Sequence, residues 1–157
     1  MRKQFLQYSF LFSIIACNCN QNNAGSEDKE GSVWSDRDTI ILWSVDAEKN
    51  IRTRIFTPED SIDKATPLIN GIHTLWPEAR LFVSGQRSDT LIVGLRNERW
   101  LTDEIGIEGA ESFLSFASLN LLELKGVNHI YYNITHGTHA GSDTWESSDF
   151  ADWKEGK

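Results

Sequence analysis

The sequence predicts an α+β domain: a two-layer sandwich with element order ββαββαβ, its mostly antiparallel sheet carrying two helices on one face. Three observations point there. Short runs alternate apolar and polar residues with the strand period, and two longer stretches repeat apolar residues with the helical period. Each of those stretches has a single apolar stripe, which needs a sheet face to cover it.

Taken in chain order, Thr39 to Val45 (TIILWSV) is a β-rich apolar run, and Ile51 to Phe56 (IRTRIF) alternates apolar and basic residues as a half-buried strand does. The polar DAEKN between them has hairpin length, so the two runs are expected to pair. Two Thr-Pro pairs then compete to open the first helix. Starting at Thr57-Pro58 would place Pro67 in the helix interior, at a cost of about 3 kcal/mol. Starting at Thr66-Pro67 puts Leu68, Ile69, Ile72, Leu75 and Trp76 on one stripe that stops before Pro77, so the helix is assigned to Thr66–Trp76. Leu81 to Ser84 and Thr90 to Leu95 read as strands joined through GQRSD. The second helix carries Ala110, Phe113, Leu114, Ala117, Leu121 and Leu124 on one stripe, with Lys125 in its last turn and Gly126 as its stop. His129 to Ile134 closes the order as a strand. Trp43 and Trp76 fall on the predicted core faces.

Before all this lies an address. Arg2 and Lys3 precede a mostly apolar run from Phe5 to Ala16, shorter than the roughly 20 apolar residues of a bilayer-spanning helix and of the length of an export signal. Ile14-Ile15-Ala16-Cys17 resembles the bacterial lipobox, with Ile15 departing from the small residue usual there. The resemblance implies cleavage before Cys17, whose thiol would carry the lipid, palmitate included. Cys17 and Cys19 are the chain's two cysteines, so the body contains none and stands on its hydrophobic core. Residues 1–16 are therefore read as a lipoprotein signal peptide, 17–31 as a lipidated flexible tether, and 32–157 as a single domain with an acidic and aromatic C-terminal tail. The tether, NCNQNNAGSEDKEG after Cys17, has too little apolar surface to offset the entropy of ordering.

Of the chain's 15 basic residues Arg2 and Lys3 leave with the signal, so 13 face 23 acidic ones in the mature part, a net charge of −10. That balance repels phosphate backbones and excludes nucleic acid as a partner. Asn18 is not the Asp that commonly retains lipoproteins at the inner membrane. The expected location is the bacterial cell envelope, at the outer membrane and facing the periplasm or the cell surface.

The stretch LIVGLRNERWLTDEIGIEGAESFLSFASLNLLELKGVNHIYY, within residues 39–150, resembles the GerMN domain family, which has there a strand, a connecting loop, a Gly-Ala helix start, a long helix and a closing strand. The family occurs in a spore-germination lipoprotein and in other exported proteins. The resemblance implies a fold similar to the ring-building motifs of secretion and sporulation assemblies, and a non-catalytic role in protein interaction or assembly, with an envelope protein or with copies of itself. It implies no cofactor.

Chemistry-bearing residue types crowd together in THGTHAGSDTWESSDF. His136 and His139, with Asp143 and Glu146 near in sequence, are of the types that hold zinc and leave a position for water. His-x-x-His after a strand lacks the i, i+4 helical geometry of the familiar zinc helix, and Gly137 and Gly141 mark a turn. A structural loop is the expectation, with His136 and His139 kept as metal candidates. GIEGAE opens the second helix, where its glycines read as a tight turn because Glu108 and Glu111 oppose an anion. Six tryptophans are many for this length. Trp100 on a loop and Trp145, Phe150 and Trp153 in the tail are the candidate interaction residues, free to pack down on the domain or to meet a partner. Three roles are thus carried forward: an interaction module, a binder of glycans or small molecules that stacks them on these aromatics, and a small metal enzyme built on His136 and His139.

Overall fold

The computed structural model describes residues 32–156. The expected signal peptide, the expected lipidation site Cys17 and the expected tether lie outside the described residues. Within them no helix is long and apolar enough to cross a membrane.

The domain is α+β. The first hairpin pairs β1 (Trp43–Asp46) with β2 (Ile51–Arg54) antiparallel, Trp43 opposite Arg54 and Asp46 opposite Ile51. Its turn follows from DAEKN. The Asp46 carboxylate accepts the Lys49 amide and caps a short 3-10 turn over Ala47–Lys49, and Asn50 closes it at φ 51°, a left-handed conformation that Asn tolerates better than most residues. The expected strand from Thr39 starts later because its first residues hydrogen-bond elsewhere. The Ile40 amide donates to the Pro67 carbonyl, and the Leu42 and Trp43 amides both donate to the side chain of Asn120. The second strand ends at Arg54, two residues short of the expected Phe56.

α1 (Ala65–Leu75) matches the second Thr-Pro reading. Pro67 occupies its first turn, where a missing amide leaves no helical bond unmade. Gly71 lies flat against the chain at Ile40, where any Cβ would collide with the Ile40 carbonyl oxygen. β3 (Leu81–Arg87) and β4 (Thr90–Leu95) form the second hairpin. Here β3 runs three residues past the expected Ser84: a bulge between Val83 and Gly85 absorbs the register shift, and Ser88 at φ 54° lets the chain turn at Ser88-Asp89.

A π-helical segment at Trp100–Glu104 leads through Gly106, at φ 76°, into α2 (Gly106–Leu121). The helix ends before the expected Gly126. Leu124 instead forms a bridge with Ile62, the Lys125 amide donates to the Ile62 carbonyl, and Gly126 turns the chain at φ 78°. β5 (His129–Tyr132) then pairs parallel to β4, with α2 as the crossover.

The expected single, mostly antiparallel sheet with both helices on one face is corrected here. Every residue of α2 from Phe113 to Leu121 is buried, the mark of a helix covered on all sides. Ser118 and Asn120 show what covers it. Two residues apart on a helix they point in roughly opposite directions. The Ser118 hydroxyl meets the Tyr132 hydroxyl of β5 at 3.0 Å, while Asn120 bonds the backbone of β1. Thus α2 is a middle layer between two mixed sheets, one ordered β3-β4-β5-β6 and the other β1-β2-β7.

The last strand of each sheet comes from the segment expected to be a loop and tail. β6 (Asp143–Glu146) pairs antiparallel with β5, and β7 (Lys154–Glu155) pairs parallel with β2. A 3-10 turn at Ser147–Phe150 joins them, held by reciprocal bonds between Glu146 and Asp149. The C-terminal strap therefore ties the two sheets together, and fully buried Phe150 is its anchor.

Trp76 packs inward as expected, edge-on to Trp100 and Phe113 at centroid distances of 5.8 Å. Trp43, half-buried like Trp76, also packs against the core as expected. It lies on β1 with the Arg54 guanidinium 4.6 Å and that of Arg52 5.5 Å from its ring centre. Its indole nitrogen donates to Glu123 at 2.8 Å, and Glu123 also accepts from Arg54.

Candidate functional site

The residues singled out in the sequence divide by depth. Trp100 is only 9 % exposed, wedged edge-on against Phe113 at 5.4 Å, and Phe150 is fully buried between Trp145, 5.6 Å away and stacked, and Trp153 at 5.2 Å. Both were expected on a loop or tail, free to pack down on the domain or to meet a partner, and they pack down. Burial removes that surface, because an indole or phenyl ring gains more by packing than by standing in water. Trp145 and Trp153 remain half-buried at the surface.

Both border a trench, together with the N-terminal half of α2, the rest of β6 and the loop that precedes it. One half has a volume of about 460 Å³ and is bordered by Glu111 and Ser115 of α2, Asp143, Thr144 and Trp145 of β6, and Trp153. The other, about 380 Å³, is bordered by apolar Ile107, Ala110 and Leu114 of α2 and by His136 and His139. Glu111, Asp143 and Trp145 belong to both halves.

Local sequence shapes the loop that precedes β6. Thr138 donates its amide and its hydroxyl to Asp103 Oδ1, and Thr102 donates its hydroxyl to Asp103 Oδ2. The His139 amide donates to the Thr102 carbonyl at 2.7 Å, and the Gly137 amide closes the loop onto Ala140. Gly137 has to be glycine, since a Cβ would run into the Thr102 side chain, and Gly141 is held against the His136 ring in the same way. Hydrogen bonds from Thr102, and then from Thr138, hold the Asp103 carboxyl below the usual carboxylate range. Asp103 therefore fixes the His-x-x-His loop. Its sequence signal was faint: one acid in a connecting segment, far in sequence from the loop that it holds.

The structure brings His136 and His139 to one half of the trench but turns Glu146 elsewhere. Glu146 faces His129 across the β5–β6 pair at 3.2 Å and accepts from the Ser148 hydroxyl at 2.6 Å. No group of three or more His, Cys, Asp and Glu side chains converges among the described residues.

The trench also has unmet hydrogen-bonding capacity. The Ser115 hydroxyl, the Trp145 indole nitrogen and His139 Nδ1 are buried and have no partner among the described residues. Ser115 as a residue is 0 % exposed. Such groups cost about 1–3 kcal/mol each when left unpaired, so three of them around one opening is unusual for a surface that only needs to be packed. The lining contributes acceptors from Glu111, Asp143 and Asp149 and no Lys or Arg. Periodicity could not have found this arrangement, because Ser115 sits on a helix as an ordinary small polar residue and only the tertiary fold sets it beside Trp145. No protein-family model, curated protein or solved structure matches the chain.

Proposed function

We propose that the chain is a lipid-anchored bacterial envelope protein whose folded domain is a non-catalytic binding module, taking a small polar ligand in the trench beside Trp145. The observation that carries the binding reading is the set of unpartnered buried groups, Ser115, Trp145 and His139, at one open depression. A bound ligand would complete their hydrogen bonds. The anchor reading rests on the basic, apolar and Ile14-Ile15-Ala16-Cys17 sequence of the N-terminus, with outer-membrane placement following from Asn18.

The test has two arms. Mass spectrometry of the native protein should give an N-terminal peptide beginning at acylated Cys17, and Cys17→Ser should move the protein from the membrane to the soluble fraction. A free Cys17 thiol in membrane-bound material would remove the anchor. Amide shifts of the full chain on adding the small-molecule fraction of a bacterial envelope extract should cluster at Glu111, Ser115 and Trp145. Shifts confined to other surfaces would refute the trench.

A second reading, the GerMN-like assembly module that docks on an envelope protein or on its own copies, is favoured by β3. This strand is one edge of its sheet and leaves Phe82 and Val83 over a third exposed. In-cell cross-linking from Val83 to a defined neighbour, lost in Phe82→Ser, would favour it; cross-linking from Thr144 alone would favour the trench.

A further inference from the structure

Resting on the reading of the trench as a binding site, we propose that its ligand is a neutral, hydroxyl-rich saccharide and that acidic saccharides are excluded. The lining includes groups that can only donate and groups that can only accept. The indole N–H of Trp145 is a donor only and requires an acceptor. Glu111, Asp143 and Asp149 are carboxylates and offer acceptors only. The Ser115 hydroxyl, in a residue with no solvent exposure, can serve either way. A ligand matched to this lining donates to the carboxylates and accepts from the indole. A hydroxyl group does both. An alkyl ammonium donates and cannot accept, so it would leave the indole unmet, and an ionised carboxylate or phosphate group accepts and cannot donate.

Charge separates the candidates further. Three carboxylates and no Lys or Arg border the more polar half of the trench, so a uronate or a phosphosugar would bring a negative charge to a negative site. The shape agrees with a pyranose. One face of Trp145 is stacked on Phe150 at 27°, which fixes the indole plane, while the same residue borders both halves of the trench. A rigid aromatic surface beside hydrogen-bonding groups suits a sugar ring, which has an apolar C–H face and polar edges. The adjoining half, with Ile107, Ala110 and Leu114, has room for a second ring or an acyl substituent of the first.

The experiment titrates the full chain with chitotriose, maltotriose, cellotriose, trigalacturonate and hexylamine, reading indole fluorescence and the amide shifts of Glu111, Ser115 and Trp145. Binding of at least one neutral trisaccharide with shifts confined to the trench, and about tenfold or weaker binding of trigalacturonate, is expected. Trp145→Ala should weaken the neutral ligand by about tenfold or more. Because that change also touches the β5–β6 pairing, Glu111→Lys on the exposed face of α2 is the companion variant. It removes one acceptor from the lining, so the neutral ligand should weaken, while trigalacturonate affinity should rise by about fivefold or more, the size expected for reversing one charge at the border of the site. Trigalacturonate or hexylamine shifting the trench as strongly as the neutral sugars would overturn the ligand class and leave a binding trench standing. Absence of any trench shift with all five probes would also overturn the saccharide assignment, and the extract experiment would then decide the trench by itself.

Discussion

Replacing Asn120 by alanine tests the central joint of the fold. The side chain is 1 % exposed, and its oxygen accepts from the Leu42 amide at 2.7 Å and the Trp43 amide at 3.1 Å, while its nitrogen donates to the Trp43 carbonyl at 3.1 Å and the Phe116 carbonyl at 2.8 Å. It does for the start of β1 what a neighbouring strand would do. Phe116 keeps its helical bond in the variant, so its loss is small. Leu42 is fully buried, and leaving its amide unpaired costs about 1–3 kcal/mol; the two half-buried Trp43 groups add roughly 0.5–1 kcal/mol each. The sum is about 3 kcal/mol, a loss of about 1–2 M in the urea midpoint for an m value near 2 kcal/mol/M. The assay is urea unfolding of the full chain with hydrogen exchange read at Leu42 and Trp43, whose protection should fall while that of Val93 in β4 falls only with the global stability. Asn120→Asp should be no better, since it keeps the acceptors, loses both donors and buries a charge. A change below about 0.5 kcal/mol with Leu42 and Trp43 still protected would refute the claim that this side chain substitutes for a strand.

Three further outcomes can be measured. Tyr132 is buried with its hydroxyl against Ser118, and burial raises its pKa well above the usual tyrosine value near 10. Its contribution is therefore fully present below about pH 10 and lost as pH rises above that, where only the unfolded chain ionises; the urea midpoint of the parent should fall more steeply from pH 9 to 11 than that of Tyr132→Phe. At neutral pH Tyr132→Phe should cost about 1–3 kcal/mol by orphaning Ser118, and adding Ser118→Ala should restore part of it; independent, additive losses would contradict the pairing. Asp103 has a lowered pKa, so its support of the His-x-x-His loop persists below the ordinary aspartate value near 3.9 and is lost as pH falls through its own; the Thr138 amide shift should titrate with a midpoint below 3.9, and a midpoint at or above it would show that the loop is held otherwise. Elemental analysis after zinc exposure and dialysis should find less than one equivalent bound, because Glu146 is engaged by His129 and Ser148; one equivalent lost in a His136→Ala, His139→Ala pair would revive the metal role.

What could be read from residues alone was whatever depends on near neighbours in the chain. DAEKN announced its turn through one capping aspartate and one asparagine able to adopt positive φ, and Pro67 decided between two helix starts because its missing amide is harmless only in a first turn. The address, from Arg2 to Cys17, is a matter of composition and order, and it remains an expectation from sequence. The layering was not legible. A stripe such as Phe113, Leu114, Ala117 and Leu121 says that one side of a helix is covered, yet Ser118 and Asn120 look like surface residues until Tyr132 and β1 are brought against them. The strap was hidden for a related reason: β6 is four residues of mostly polar composition, and it is a strand because β5 offers it a ladder and Phe150 anchors the turn on its C-terminal side. The trench joins Ser115, Trp145 and His139, drawn from a helix, a strand and a loop that local preferences treat separately. Backbone propensity and patterning act over a few residues and were written in the sequence. Which polar groups end up buried without partners depends on how distant segments close on one another, and that was decided only by the packed fold.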